Sequence, residues 1–182
     1  MIVERLALPE VLKITPKVFG DDRGFFFESF NERAFREATG VTVSFVQDNH
    51  SRSARGVLRG VHYQLPPHAQ GKLVRVVHGE VFDVAVDLRR SSPTFGRWAG
   101  AVLSAENKAQ LWVPPGFGHG FVTLSTTAEF LYKTTDYYAP QYERVLRWDD
   151  PTVAIDWHFA ESPTLAARDR DAPHLQQAEV FD

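Results

Sequence analysis

The sequence predicts an all-β fold, a jelly-roll barrel or sandwich in one domain with a few short helices. Three observations carry that prediction. Short apolar runs of period two fill the chain from Val41 onward, turn-forming residues punctuate them at close spacing, and only one stretch shows a helical stripe. Aromatic residues make up 13% of the chain, enough to fill a barrel interior. An immunoglobulin-like sandwich is the weaker option, because the chain has no cysteine and therefore no Cys…Trp…Cys pattern. At 182 residues, with no Gly/Ser/Pro-rich linker and no fixed-period repeat, a single domain spanning 1–182 suffices.

Residues 1–30 read as short strands, Ile2–Leu8, Val11–Pro16 and Phe25–Phe30, the last following the turn Gly20-Asp21-Asp22-Arg23-Gly24. Phe25, Phe26 and Phe27 cannot all share one face of a strand, so at least one points away from its own subunit's core or into a pocket. Asn31 caps a helix whose inner stripe is Ala34, Phe35 and Ala38, and Gly40 stops it. Val41–Val46 reads as a strand leading into the polar cluster Gln47-Asp48-Asn49-His50. The strand Gly56–Gln64 and a loop at Pro66–Gly71 follow. Leu73–Val77 and Val81–Leu88 flank His78-Gly79-Glu80 as a hairpin. In its second arm Phe82, Val84, Val86 and Leu88 form one face, and Asp83 and Asp87 lie on the other. Trp98–Leu103 is a strand, Ser104–Gln110 a helical turn, and Leu111–Val113 runs into Pro114-Pro115-Gly116. Phe121–Leu124 and Glu129–Thr135 form a further hairpin around Ser125-Thr126-Thr127. From Pro151 to the end the tail reads as irregular, with Ile155-Asp156-Trp157 as a small apolar anchor.

The totals narrow the chemistry. A net charge of −3 with no basic run argues against a nucleic-acid partner. Arginine outnumbers lysine fifteen to five, a choice that suits bidentate recognition of phosphate or carboxylate. The lack of cysteine excludes disulfides, thiolate nucleophiles and Cys-ligated zinc. No apolar run approaches the roughly 18–20 residues of a membrane span, and Met1–Arg5 lacks the layout of a secretion signal. A cytoplasmic location is the expectation, with no membrane partner.

Pro114-x-Gly116-x-x-His119 matches the second half of a cupin signature, the part that places one metal-binding histidine. The first half needs His-x-His, which the chain does not contain, so it reads as a cupin-like jelly roll without a metal site. A metal-binding cupin of another function stays open as an alternative. Neither a Gly-x-Gly-x-x-Gly after a strand nor a Walker loop is present, so no nucleotide cofactor is expected. Acid–base work by side chains remains. His62 sits mid-strand and is the natural base. In a regular strand Arg59 and His62 have opposite parity, and a bulge at Gly60 would bring both toward one cavity. From spacing alone the plainer reading of each residue is favoured: His62 as a hydrogen-bonded core histidine, Lys72 as a surface charge, Tyr132 as core filler, and Asp169 as a solvated tail charge.

A set of ordered blocks then matches a known family. Phe19–Glu28, Val46–Ser51, Gly56–Gln64, Gly71–Val74, Pro93–Gly96, Pro114–Phe121, Leu131–Lys133 and the tail up to Asp169 closely resemble dTDP-4-dehydrorhamnose 3,5-epimerases, over nearly the whole chain. The resemblance implies a cofactor-free isomerase of dTDP-L-rhamnose synthesis. Its substrate would be dTDP-4-dehydro-6-deoxy-D-glucose, inverted at C3 and C5 to give dTDP-4-dehydro-L-rhamnose. It implies a homodimer that exchanges its N-terminal strands, about residues 1–30. It makes His62 the base, Asp169 the group that orients it, Lys72 the positive charge beside the developing enolate, and Tyr132 the acid on the opposite face. Arg59 would face the diphosphate, Gln47, Asp48 and Asn49 would bind substrate, and Tyr138 would stack on the thymine. Arg23, Glu28 and one of the three phenylalanines would come from the partner subunit. His119 and Glu143 match ligand-contacting positions, and Arg168 stands where the family more often has lysine. A single-site epimerase acting at C3 or C5 alone is the alternative within the same chemistry.

Overall fold

The computed structural model describes all 182 residues. In chain order the strands are β1 (Ile2–Arg5), β2 (Leu12–Thr15), β3 (Phe19–Asp21) and β4 (Gly24–Phe26). Helix α1 (Glu32–Thr39) comes next. Then come β5 (Gln47–Ala54), β6 (Leu58–Gln64), β7 (Lys72–His78), β8 (Glu80–Asp87), β9 (Trp98–Ser104) and β10 (Gln110–Val113). The chain finishes with β11 (Phe117–Thr123), β12 (Thr127–Thr134), β13 (Glu143–Val145) and the one-turn helix α2 (Ala167–Arg170). The strands form a six-stranded sheet, β1-β2-β10-β7-β12-β5, facing a five-stranded sheet, β13-β6-β11-β8-β9, with β3-β4 as a separate hairpin. This is the predicted jelly roll.

Alternation along the strands builds three cores. Between the sheets, Val74, Val76, Val81, Ala85, Phe121 and Phe130 are buried together. On the outside of the six-stranded sheet, Leu12, Ile14, Leu73 and Trp112 are covered by Phe35 of α1. On the outside of the five-stranded sheet, Phe82, Val84, Val86 and Leu88 are covered by Val153, Trp157, Leu175 and Phe181. The C-terminal tail is therefore a structural layer and more than a local anchor. Asp150 helps shape it by accepting from the amides of Thr152, Val153 and Leu175.

Several elements differ from the sequence expectation. Val41–Val46 has no strand, and the polar cluster beginning at Gln47 is itself the edge strand β5. Asn31 and Gly40 cap α1 as expected, with Asn31 accepting from the Ala34 amide, but of the predicted stripe only Phe35 is buried. Ser104–Gln110 is a non-helical turn held by reciprocal bonds between Ser104 and Asn107. Neither predicted hairpin pairs. β7 and β8 lie in different sheets, and so do β11 and β12. Both tight turns are corners where the chain crosses from one sheet to the other, and they pack together: a Cβ on Gly79 would strike the carbonyl of Thr127. Asp83 and Asp87 lie opposite the apolar face of β8 but are fully buried, because that side faces the barrel interior or its rim.

Candidate active site

The site is built at one mouth of the barrel, around the bulge in β6. His62 pairs with His119 of β11, whereas Arg59 pairs with Phe121, so two residues of β6 lie opposite one of β11. The extra residue falls at Gly60–Val61. Gly60 has φ +142°, and a Cβ there would come within 2.5 Å of the Gly120 Cα, so the irregularity requires glycine.

Past the bulge, His62 turns into a cleft of about 310 Å³. Lys72 from β7, Tyr132 from β12, Gln47 and Asn49 from β5, and Glu143 from β13 line the same cleft. The imidazole and the phenol thus project from opposing sheets into one space. Asp169, on α2, reaches His62 from behind: His62 Nε2 lies 2.8 Å from Asp169 Oδ1. The Gly60 amide also donates to Asp169, at 3.4 Å. Only 2% of Asp169 is exposed, so the solvated-tail reading does not hold. Lys72 is likewise buried rather than on the surface, and its Nζ donates to the His62 carbonyl at 3.2 Å.

These surroundings set the protonation states. Burial pushes the His62 imidazole below its ordinary value, and hydrogen bonding to Asp169 opposes that only in part. Burial alone would raise Asp169, but the His62 contact and the Gly60 amide outweigh it and hold the carboxyl below its usual range. The pair is therefore a neutral imidazole against a carboxylate. With Nε2–H donating to Asp169, Nδ1 keeps a free lone pair. Burial brings Lys72 down to about 8, with Glu143 and Asp83 pulling the other way. Burial, followed by Glu143, pushes the Tyr132 phenol up, so it remains a proton donor.

At the entrance, Glu143 joins two neighbours. Its Oε2 accepts from Tyr138 at 2.9 Å and from Arg168 at 2.8 Å. Gln47 Nε2 donates to Asn49 Oδ1, and Gln47 Oε1 accepts from the Tyr138 amide. The half-exposed Tyr138 ring lies at the rim. Gln64 and Gln70 line the cleft but were missed from the sequence. Gln64 is almost fully buried, donates to the carbonyls of His68 and Tyr137, and accepts from the Ala139 amide. Its signal was available, since it shares the parity of His62 once the bulge is passed.

Five expected site residues are placed elsewhere in this chain. Asp48 has the opposite parity to Gln47 and Asn49, so it points out of the cleft and pairs with Lys133 at 3.0 Å. His119 lies behind the cleft wall, bonded to Asp83. Arg23 is 90% exposed on the β3–β4 hairpin and pairs with Asp21, and Glu28 accepts from Asn31. Arg59 does not line the cleft either. It donates to Ser53 Oγ, although its charge is close enough to pull the Tyr132 phenol down.

A histidine–carboxylate pair and a tyrosine that open from opposing sheets into one cleft, with a buried lysine lining it, have the chemistry to move protons on carbon. The family model described as dTDP-4-dehydrorhamnose 3,5-epimerase matches residues 5–177. The chain belongs to that family. It is 64% identical over 181 residues to the dTDP-4-dehydrorhamnose 3,5-epimerase of Pseudomonas aeruginosa, covering 100% of this chain and 99% of that one. Among solved structures it resembles the dTDP-6-deoxy-D-glucose-3,5-epimerase of Legionella pneumophila in complex with dTDP-4-keto-L-rhamnose. That likeness has a TM-score of 0.94 and 52% identity, over 97% of this chain and 93% of the other. A 3'-monoepimerase of Streptomyces bikiniensis in complex with dTDP-quinovose is also similar, with a TM-score of 0.88 and 36% identity, over 95% and 87% of the two chains. A 3,5-epimerase and a 3'-monoepimerase are thus both similar in fold to this chain, the monoepimerase at lower identity.

Proposed function

We propose that this protein is an isomerase that inverts C3 and C5 of dTDP-4-dehydro-6-deoxy-D-glucose, giving dTDP-4-dehydro-L-rhamnose. The observation that carries the reading is that His62 and Tyr132 open into one cleft from opposing sheets. C3 and C5 both flank the C4 ketone, so loss of either proton leaves an enolate. In the D-gluco ring the hydrogens on C3 and C5 are axial on the same face, so one base can reach both. His62 Nδ1 takes the proton, and Asp169 stabilises the imidazolium that forms. The Lys72 ammonium offsets the charge developing on the C4 oxygen. Tyr132 delivers a proton to the opposite face, which is what inversion requires.

Arg168, Glu143, Gln47, Asn49 and Tyr138 at the entrance suit the nucleotide, with the Tyr138 ring positioned to stack on a base. The reading includes a cytoplasmic homodimer in which Arg23 and Glu28 reach the partner's cleft. The exposed rings of Phe25 and Phe26 on the hairpin beside Arg23 support that arrangement: 62% and 67% exposure is unusual for phenylalanine on a lone subunit. Incubating the 4-keto sugar nucleotide with the enzyme in D2O is the test, and deuterium should appear at both C3 and C5. Label at one carbon only would make it a monoepimerase, and label at neither would overturn the proposal.

A further inference from the structure

Lys72 is a buried cation whose counter-charge is not in contact with it. It is 7% exposed, donates to one carbonyl, and forms no ion pair. Leaving an ammonium in that position unbalanced is costly, so a carboxylate must compensate for it nearby. Three carboxylates face this end of the barrel, and two are held by groups that line the cleft or its entrance. Asp169 is bonded to His62, and Glu143 is held at the entrance by Tyr138 and Arg168. The third is Asp83.

Strand parity puts Asp83 in the same lumen as Lys72. On β7, Lys72 is in step with Val74 and Val76, which belong to the core between the sheets. On β8, Asp83 is in step with Val81 and Ala85 of that same core. The lumen is layered there. Phe121 stacks on Phe130 at 4.3 Å, and His119 lies against Phe130 at 5.9 Å. His119 Nε2 contacts both oxygens of Asp83, at 3.1 and 2.9 Å, and His119 pairs across the strands with His62, whose carbonyl holds Lys72. Asp83 has no exposed surface at all, and no role in proton transfer on carbon explains why it is there.

We propose that Asp83 is a positioning residue for the reaction: anchored by His119 beneath the floor of the cleft, its carboxylate joins Glu143 as a counter-charge that keeps Lys72 an ammonium. The inference rests on the role given to Lys72 above. The mutual influence has the right sign: against the burial that lowers Lys72, Glu143 and then Asp83 draw it up, and against the burial that raises Asp83, His119 and then Lys72 draw it down. The other titratable or charged groups toward Lys72 are His62, Asp169, His119, Tyr132, Glu143 and Arg168, and the substitution below leaves all of them in place.

The test is an NMR titration of the lysine ε-methylene signals in Asp83→Asn, with Lys72 assigned from its absence in Lys72→Met. The Lys72 midpoint should fall by about one pH unit, while His119→Asn, which keeps a donor toward the carboxylate, should move it much less. An unchanged midpoint in Asp83→Asn, or equal shifts in both variants, would overturn the proposal. If Asp83→Asn does not fold, the wild-type Asp83 carboxyl signal decides, because coupling requires it to inflect again near the Lys72 midpoint. In turnover, Asp83→Asn should lose at least about tenfold in kcat with KM changed less than about threefold, and the alkaline limb should move to lower pH. A fallen midpoint with unchanged kcat would refute the role of Lys72 in catalysis and leave the pairing with Asp83 standing.

Discussion

His62 shows how a residue that is chemically ordinary acquires a task from where it is placed. Burial keeps it neutral and Asp169 selects the tautomer, so a proton acceptor is ready at neutral pH. Replacing His62 by alanine should lower kcat by about three orders of magnitude. Affinity for dTDP should stay within about threefold, as measured by calorimetry, because the groups proposed to bind the nucleotide lie at the entrance. Tyr132→Phe should impair epimerisation unequally at the two carbons while deuterium exchange persists, since removal of the proton does not need the phenol. The pH profile follows from the same two groups. In the proposed mechanism His62 acts only as the neutral base, so kcat/KM should rise through a midpoint below 6.5, the ordinary imidazole value. The same mechanism uses Lys72 only as the cation, so the rate should fall again above about 8. A profile still rising at pH 9 would show that Lys72 need not be charged.

At the scale of elements, the β6 bulge is the device that aims His62, and Gly60 is what permits it. Gly60→Ala must displace the backbone of Gly120 and adopt a φ that side chains resist, which should cost about 3 kcal/mol in urea denaturation and most of the activity. The bulge was legible in the sequence because a glycine in mid-strand is informative. Its consequence for Arg59 was not, since the guanidinium found Ser53 instead of the cleft. Tight turns mislead for a related reason. His78-Gly79-Glu80 has the length of a hairpin loop, but turn length says nothing about which sheet the next strand joins. Asp169 was invisible to periodicity: α2 has four residues, too few for any stripe, and only the family resemblance singled it out. Alternation did carry information at Gln47-Asp48-Asn49, where reading the cluster as a strand would have turned Asp48 outward from the start.

For the molecule as a whole, the order of layers explains why the cleft has only part of what a sugar nucleotide needs. The helix covers one sheet, the tail covers the other, and the barrel interior is filled up to the level of His119 and Phe130. That leaves the open space at the mouth, with the β3–β4 hairpin carrying Arg23 and two exposed phenylalanines clear of it. If the hairpin completes the site of a second subunit, the two defects His62→Ala and Arg23→Ala act on different chains of one active site. Each variant alone should be impaired. When the two are unfolded together and refolded at equal amounts, half the dimers are mixed, and each mixed dimer has one site with both residues intact, so activity should recover to about a quarter of wild type. Mixing the folded dimers without exchange should give no such recovery. If co-refolding yields only the average of the two variants, Arg23 serves its own chain and the hairpin has another use.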